Sequence, residues 1–168
     1  MQRRHLSVFL SALAILFLTG GCISESKDNQ SSDIIEVGNH MPRFEVTVTD
    51  PATDSTYLFS SEKLQGETVI VFFETSCKDC QRELPRLNDY YLRHRGESGF
   101  QFVAISRAQS QQDVAAYWQS KGLAMPYSAQ DDRRIYDLFA RSVIPRVYFC
   151  SPEGIITKIY VEVLPEEL

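Results

Sequence analysis

Six apolar or β-branched residues, Thr68-Val69-Ile70-Val71-Phe72-Phe73, are followed after Glu74 by Thr75-Ser76-Cys77-Lys78-Asp79-Cys80. This join constrains the fold more than any other feature of the chain. A continuous β-branched and aromatic run of that length fits a central strand covered on both faces. Two thiols then sit where a buried strand ends and a helix can begin. A thiol is a useful nucleophile only as a thiolate, and a helix N-terminus favours that form through unpaired backbone N–H groups and a partial positive charge. The pair therefore reads as a redox dithiol, with a structural disulfide or half of a metal site as the alternatives. Zinc would need two further ligands, and Cys150, His40 and His94 form no second C-x-x-C or paired-histidine motif. No metal and no cofactor is expected.

The remainder of the chain alternates between strand-like and helix-like segments. Phe44 to Thr49 alternates with period two, Asp50-Pro51-Ala52-Thr53-Asp54 is turn chemistry, and Thr56 to Phe59 returns as a second strand of a hairpin. Cys80, Leu84, Leu87 and Tyr91 fall at helical spacing within Cys77 to His94, where Pro85 should introduce a kink. Phe100 to Ile105 reads as a second buried strand, and Gln111 to Lys121 as a helix ended by Gly122. A further helix is predicted over 133–140. Val147 to Cys150 and Ile155 to Val161, separated by Ser151-Pro152-Glu153-Gly154, read as an antiparallel hairpin. This order predicts an α/β fold, with a central mixed sheet flanked by helices, a right-handed parallel crossover and an antiparallel edge. Trp118 and Tyr117 should pack a helix on the sheet, His94 should serve as a helix-end cation, and Cys150 should be a buried small hydrophobe.

The first thirty residues read as separate from this domain. Arg3 and Arg4 precede an apolar stretch from Leu6 to Leu18, which at about 13 residues suits a signal-peptide core better than a membrane span. Thr19-Gly20-Gly21-Cys22 resembles the lipobox of bacterial lipoproteins, although Thr19 stands where an aliphatic residue is usual. Residues 1–21 are thus expected to be a lipoprotein-type signal peptide, with Cys22 lipidated and 22–33 a flexible tether, since 24–33 contain no apolar side chain. Removal of 1–21 takes Arg3 and Arg4 and no acidic residue, moving the net charge from −5 to −7. That balance argues against a nucleic-acid partner.

Residues 35–165 resemble the thioredoxin fold, and within it the exported or membrane-anchored thiol–disulfide oxidoreductases of the TlpA and ResA type, in the AhpC/TSA–Redoxin superfamily. The resemblance rests on Val37-Gly38, Met41-Pro42-x-Phe44, the strand leading into Cys77-x-x-Cys80, the extension Glu83-x-Pro85, and Ile144-Pro145 before the penultimate strand. It implies a thioredoxin-like domain over 34–168 with an N-terminal β-hairpin extension. It also implies a cis Ile144–Pro145 bond beside the dithiol, backbone pairing of Ile144 with an extended substrate, and a functional carboxylate at Glu83 that takes a proton from Cys80. The sequence departs from the pattern at Ser76, where tryptophan is usual, at Lys78-Asp79, which lacks the common proline, and at Val71, where thioredoxin has a buried aspartate. From the residues alone, Glu83 could equally be a solvated partner of Arg82 or Arg86. Pro165 to Leu168 is expected to be the first turn of a last helix, leaving one sheet face less covered.

The function expected is that of an extracytoplasmic thiol–disulfide oxidoreductase, probing protein disulfides with Cys77 and resolving with Cys80. The resemblance implies a role as reductant, within a family that includes reductants serving cytochrome c-type biogenesis. Its partners would be disulfide-bearing substrate proteins, an upstream thiol electron donor, and the bacterial envelope membrane through Cys22. Lys78 and Asp79 act in opposite senses on a thiolate at Cys77, so the direction of electron flow is not set by these residues. A peroxiredoxin-like peroxidase and a binding module with a static disulfide are the two rival readings, the first weakened by the missing proline of the P-x-x-x-[ST]-x-x-C pattern.

Overall fold

The computed structural model describes residues 34–168. The expected signal peptide (1–21), the expected lipidation site Cys22 and the whole of the expected tether (22–33) lie outside the described residues. Seven strands and two helices follow in the order β1 (Glu45–Asp50), β2 (Ser55–Ser60), β3 (Thr68–Phe73), α1 (Lys78–His94), β4 (Gln101–Ser106), α2 (Gln111–Lys121), β5 (Tyr127–Ser128), β6 (Arg146–Cys150) and β7 (Ile156–Val161). They form one mixed sheet ordered β2-β1-β5-β4-β3-β6-β7. As its composition predicts, β3 is central and every one of its residues is buried. It pairs in parallel with β4 (Val71 opposite Ala104) and antiparallel with β6 (Val71 opposite Val147).

Handedness decides where the helices go. Both crossovers, β3-α1-β4 and β4-α2-β5, step the same way along the sheet, so right-handed connections place α1 and α2 on the same face. The side chains agree: Phe73 meets Trp118 of α2 at 4.8 Å, and Phe149, paired with Val69 and so pointing the same way, meets Tyr90 of α1 at 5.7 Å. On the opposite face Phe72 packs against Phe139 at 4.9 Å and Tyr136 at 5.4 Å, and Phe44 against Phe139 at 5.7 Å. Aromatic rings from irregular segments close this face among the described residues.

Three segments differ from expectation. The helix predicted over 133–140 is a single 3-10 turn at Tyr136–Leu138. Eight residues are marginal for a helix, and Tyr136 and Phe139, both drawn into the core, stand at the i, i+3 spacing that a 3-10 turn aligns. The two-residue β5 was not foreseen. It stitches the β1–β2 hairpin to the sheet, pairing Tyr127 antiparallel with Thr49 and parallel with Ala104. Pro165 to Leu168 makes no helical turn. Instead Arg86 donates to the carbonyls of Leu164 (3.3 Å), Pro165 and Glu166 (3.2 Å), and Arg93 to that of Leu168 (3.3 Å), holding the segment along α1.

Gly122 ends α2 as expected, in the left-handed conformation (φ 62°) that glycine adopts without a Cβ penalty. α1 continues through Pro85. Trp118 is buried with its indole N–H on the Met125 carbonyl at 2.9 Å, and Cys150 is buried beside Met41. Among the described residues no helix is long and apolar enough to cross a membrane.

Candidate active site

The chain leaves β3 at Phe73 and turns once before α1. Cys77 is the N-cap of that helix: its Sγ accepts the Cys80 backbone N–H at 3.3 Å, in the place that serine or aspartate commonly takes. Cys77 is partly exposed, whereas Cys80 has no exposed surface. Burial, first, and then the hydrogen bond with Cys77 push the Cys80 thiol well above the ordinary thiol range. Both are free thiols in this structure. Their environments therefore divide the labour, one sulfur poised at the surface and one held protonated behind it.

Opposite Cys77 stands the turn into β6. The Ile144–Pro145 bond is cis, as the resemblance implies. The Cys77 thiol donates to the Ile144 carbonyl at 3.6 Å, so residues 67 positions apart in sequence meet across the site. Glu83 lies one turn beyond Cys80 on α1. It is not the solvated helix glutamate that the residues alone would allow: its side chain is 2% exposed and accepts Arg82 Nε at 2.8 Å and Arg86 Nη1 at 2.7 Å. Two of about four lone-pair sites on the carboxylate are thereby used. The same arginines reach the carbonyls of Glu162 and Leu164, so Glu83 anchors the link between α1 and the segment after β7. Lys78 and Asp79 lie between the two cysteines, with Asp79 bonded to Arg82 at 2.6 Å. Among the described residues no three His, Cys, Asp or Glu side chains group closely enough to hold a metal ion.

A model of the AhpC/TSA family matches residues 37–159. The chain belongs to the AhpC/TSA family. Relatives of this AhpC/TSA protein include the thiol-disulfide oxidoreductase ResA of Bacillus subtilis strain 168, 23% identical over 99% of this chain and 90% of that one. ResA of Oceanobacillus iheyensis is 25% identical over 94% of this chain and 82% of that one. The solution structure of a candidate protein disulfide isomerase from Bacteroides thetaiotaomicron aligns with a TM-score of 0.73 at 24% identity, covering 81% of this chain and 85% of that chain. The crystal structure of StoA from Bacillus subtilis aligns with a TM-score of 0.57 at 19% identity, covering 73% and 90%. The fold of this AhpC/TSA protein is the thioredoxin fold, of the TlpA/ResA type.

Several residues of the site in this family member escaped sequence reasoning. Gln109, in the β4–α2 loop, clamps Thr75 from two sides: its Oε1 accepts the Thr75 N–H at 2.8 Å and its Nε2 donates to Thr75 Oγ1 at 2.7 Å. Gln81 adds a bond to the Thr75 carbonyl at 2.7 Å. Next to this clamp, Arg107 pairs with Glu74 at 2.8 Å, and the Glu74 carbonyl accepts the Cys77 N–H at 3.3 Å. The turn before the dithiol is thus fixed by side chains from the C-terminal end of β4, the end of an α/β sheet where sites gather. Arg146 is fully buried in β6, beside Pro145. A charged residue inside the apolar run from Ile144 to Cys150 was the available signal, because buried arginine is rare unless partnered.

Proposed function

We propose that this protein is a lipid-anchored, extracytoplasmic thiol–disulfide oxidoreductase that reduces disulfides of other proteins in the bacterial envelope, with a place in cytochrome c-type biogenesis. The observation that carries the reading is the asymmetric dithiol: Cys77 partly exposed at the helix cap and facing the Ile144 carbonyl, with Cys80 buried behind it. The ResA names of its relatives support the same reaction class.

In this mechanism Ile144 and Pro145 receive an extended substrate by backbone pairing, the mode by which strands recognise peptides. The Cys77 thiolate attacks one sulfur of the substrate disulfide, forming a mixed disulfide and expelling the other sulfur as a thiolate that takes up a proton. Cys80 then loses its proton and attacks Cys77 Sγ. The Cys77–Cys80 disulfide forms, the second substrate thiol is released, and two electrons have passed to the substrate. An upstream thiol donor reduces the pair again. Glu83 takes the Cys80 proton, through the lone pairs that its arginine partners leave open.

The reading is tested by the reduction potential of the Cys77–Cys80 pair in the full-length protein, equilibrated in graded thiol buffers with the alkylated cysteines counted by mass. A dedicated reductant should lie well below about −220 mV, nearer thioredoxin than the disulfide-forming oxidants. A value near about −120 mV would make it an oxidant, and a pair that never exchanges would make it a binding module. The proton role has its own test. Glu83→Gln should slow decay of the mixed disulfide by about 100-fold, the lower range for general-base catalysis, while leaving the first attack by Cys77 unchanged. Equal rates in both steps would reduce Glu83 to an anchor for Arg82 and Arg86.

A further inference from the structure

Val143 has φ +71°, in the left-handed region that β-branched residues avoid. It directly precedes Ile144, whose carbonyl meets Cys77 Sγ. Such a conformation persists only where the surroundings over-determine it, and such residues gather at functional sites. Here two buried donors converge on the Val143 carbonyl: Tyr136 Oη at 3.0 Å and Arg146 Nε at 3.0 Å, the latter also reaching the Ser142 carbonyl at 3.1 Å. Tyr136 is 1% exposed and Arg146 fully buried.

The Tyr136 ring is itself fixed. Phe72 meets it edge-on at 5.4 Å, and the guanidinium groups of Arg107 and Arg133 each lie 5.1 Å from its centroid. Arg107 in turn holds Glu74, whose carbonyl bonds Cys77 N–H. Tyr136 therefore joins the two halves of the site, the turn that carries Cys77 and the turn that carries Ile144.

We propose that Tyr136 and Arg146 are positioning residues of thiol exchange: by holding the Val143 carbonyl they keep Val143 left-handed and set the Ile144 backbone at the height of Cys77, where an extended disulfide-bearing peptide is received. This rests on the oxidoreductase reading above, with its extended substrate paired to Ile144, and adds the two residues that hold that backbone in place and so favour extended chain segments over compact disulfides. A small disulfide needs only the Cys77 sulfur. A peptide needs the Ile144 backbone as well.

The test compares two substrates with the full-length, reduced protein: two extended peptides joined by one disulfide, and oxidised glutathione. Tyr136→Phe keeps the ring and its packing and removes only the hydroxyl. It should lower the rate constant with the peptide disulfide about five- to tenfold, the scale of one lost hydrogen bond, and change that with oxidised glutathione less than about twofold. Adding Val143→Gly should restore most of the peptide rate, because glycine adopts positive φ unaided. Tyr136→Phe matching the wild type on the peptide would overturn the inference, as would equal losses on both substrates that glycine does not restore. A wild-type protein that reduces neither disulfide would instead overturn the oxidoreductase reading, and this inference with it.

Discussion

Replacing Cys80 with serine is expected to arrest the reaction at a mixed disulfide between Cys77 and the substrate. Turnover should fall by about three orders of magnitude or more, the scale on which loss of a covalent-catalysis group acts. Cys80 has no exposed surface, and burial together with its bond to Cys77 holds it protonated, so it cannot compete for the first attack and acts only on a sulfur brought to it. Its backbone N–H, which caps Cys77, survives the substitution. The first attack should therefore proceed in Cys80→Ser, and mass spectrometry should find the protein carrying its substrate. Cys77→Ser should lose turnover to the same extent and carry nothing. If the two variants trap partners equally, the order of attack is reversed; if neither does, the mixed disulfide is not on the path.

Truncating Phe72 to alanine should cost about 3–5 kcal/mol, the range for removing a buried aromatic side chain. Phe72 is fully buried on the sheet face that carries no α-helix among the described residues, and its ring meets Phe139 at 4.9 Å, Tyr136 at 5.4 Å and Tyr148 at 6.1 Å. Each aromatic pair adds about 0.5–1.5 kcal/mol beyond area burial, and a close-packed interior loses those contacts when the ring is removed. Urea unfolding should show the midpoint falling with the slope unchanged. Leu58→Ser, at a position 63% exposed on the edge strand β2, should change stability by no more than about 0.5 kcal/mol. A cost below about 1 kcal/mol for Phe72→Ala would mean that this face is not packed as described.

What could be read directly from the chain was what neighbours in sequence decide. Period-two alternation marked β1, turn chemistry at 50–54 and 151–154 marked its hairpin partner β2 and the β6–β7 hairpin, a continuous apolar run marked β3, and helical spacing with Gly122 marked α1 and α2, because these signals repeat or turn over distances shorter than the element itself. The dithiol was legible for the same reason: Cys77 and Cys80 are three residues apart on one turn. Ile144 and Pro145 were reached only through family resemblance, since nothing local ties them to Cys77, 67 residues earlier. Burial of Glu83 between two arginines was undecided, because both a solvated and an enclosed glutamate fit the same helical spacing.

The tertiary structure decided the rest. The two-residue β5 exists because β1 and β4 offer backbone partners on either side of it, not because Tyr127-Ser128 prefers a strand. The segment 133–140 gives up helix because the core takes Tyr136 and Phe139 against Phe72. Residues 165–168 follow α1 because arginines of that helix occupy their carbonyls. Val143 stands at positive φ because Tyr136 and Arg146 hold its carbonyl there. In each case the conformation of a short segment is set by hydrogen-bond and packing partners that are distant in sequence. Local propensity is worth tenths of a kcal/mol per residue and is overridden by a single buried contact worth about one or more. Sequence by itself determined the strand, the helix and the dithiol between them; only the folded chain determined which backbone faces that dithiol and what holds it in place.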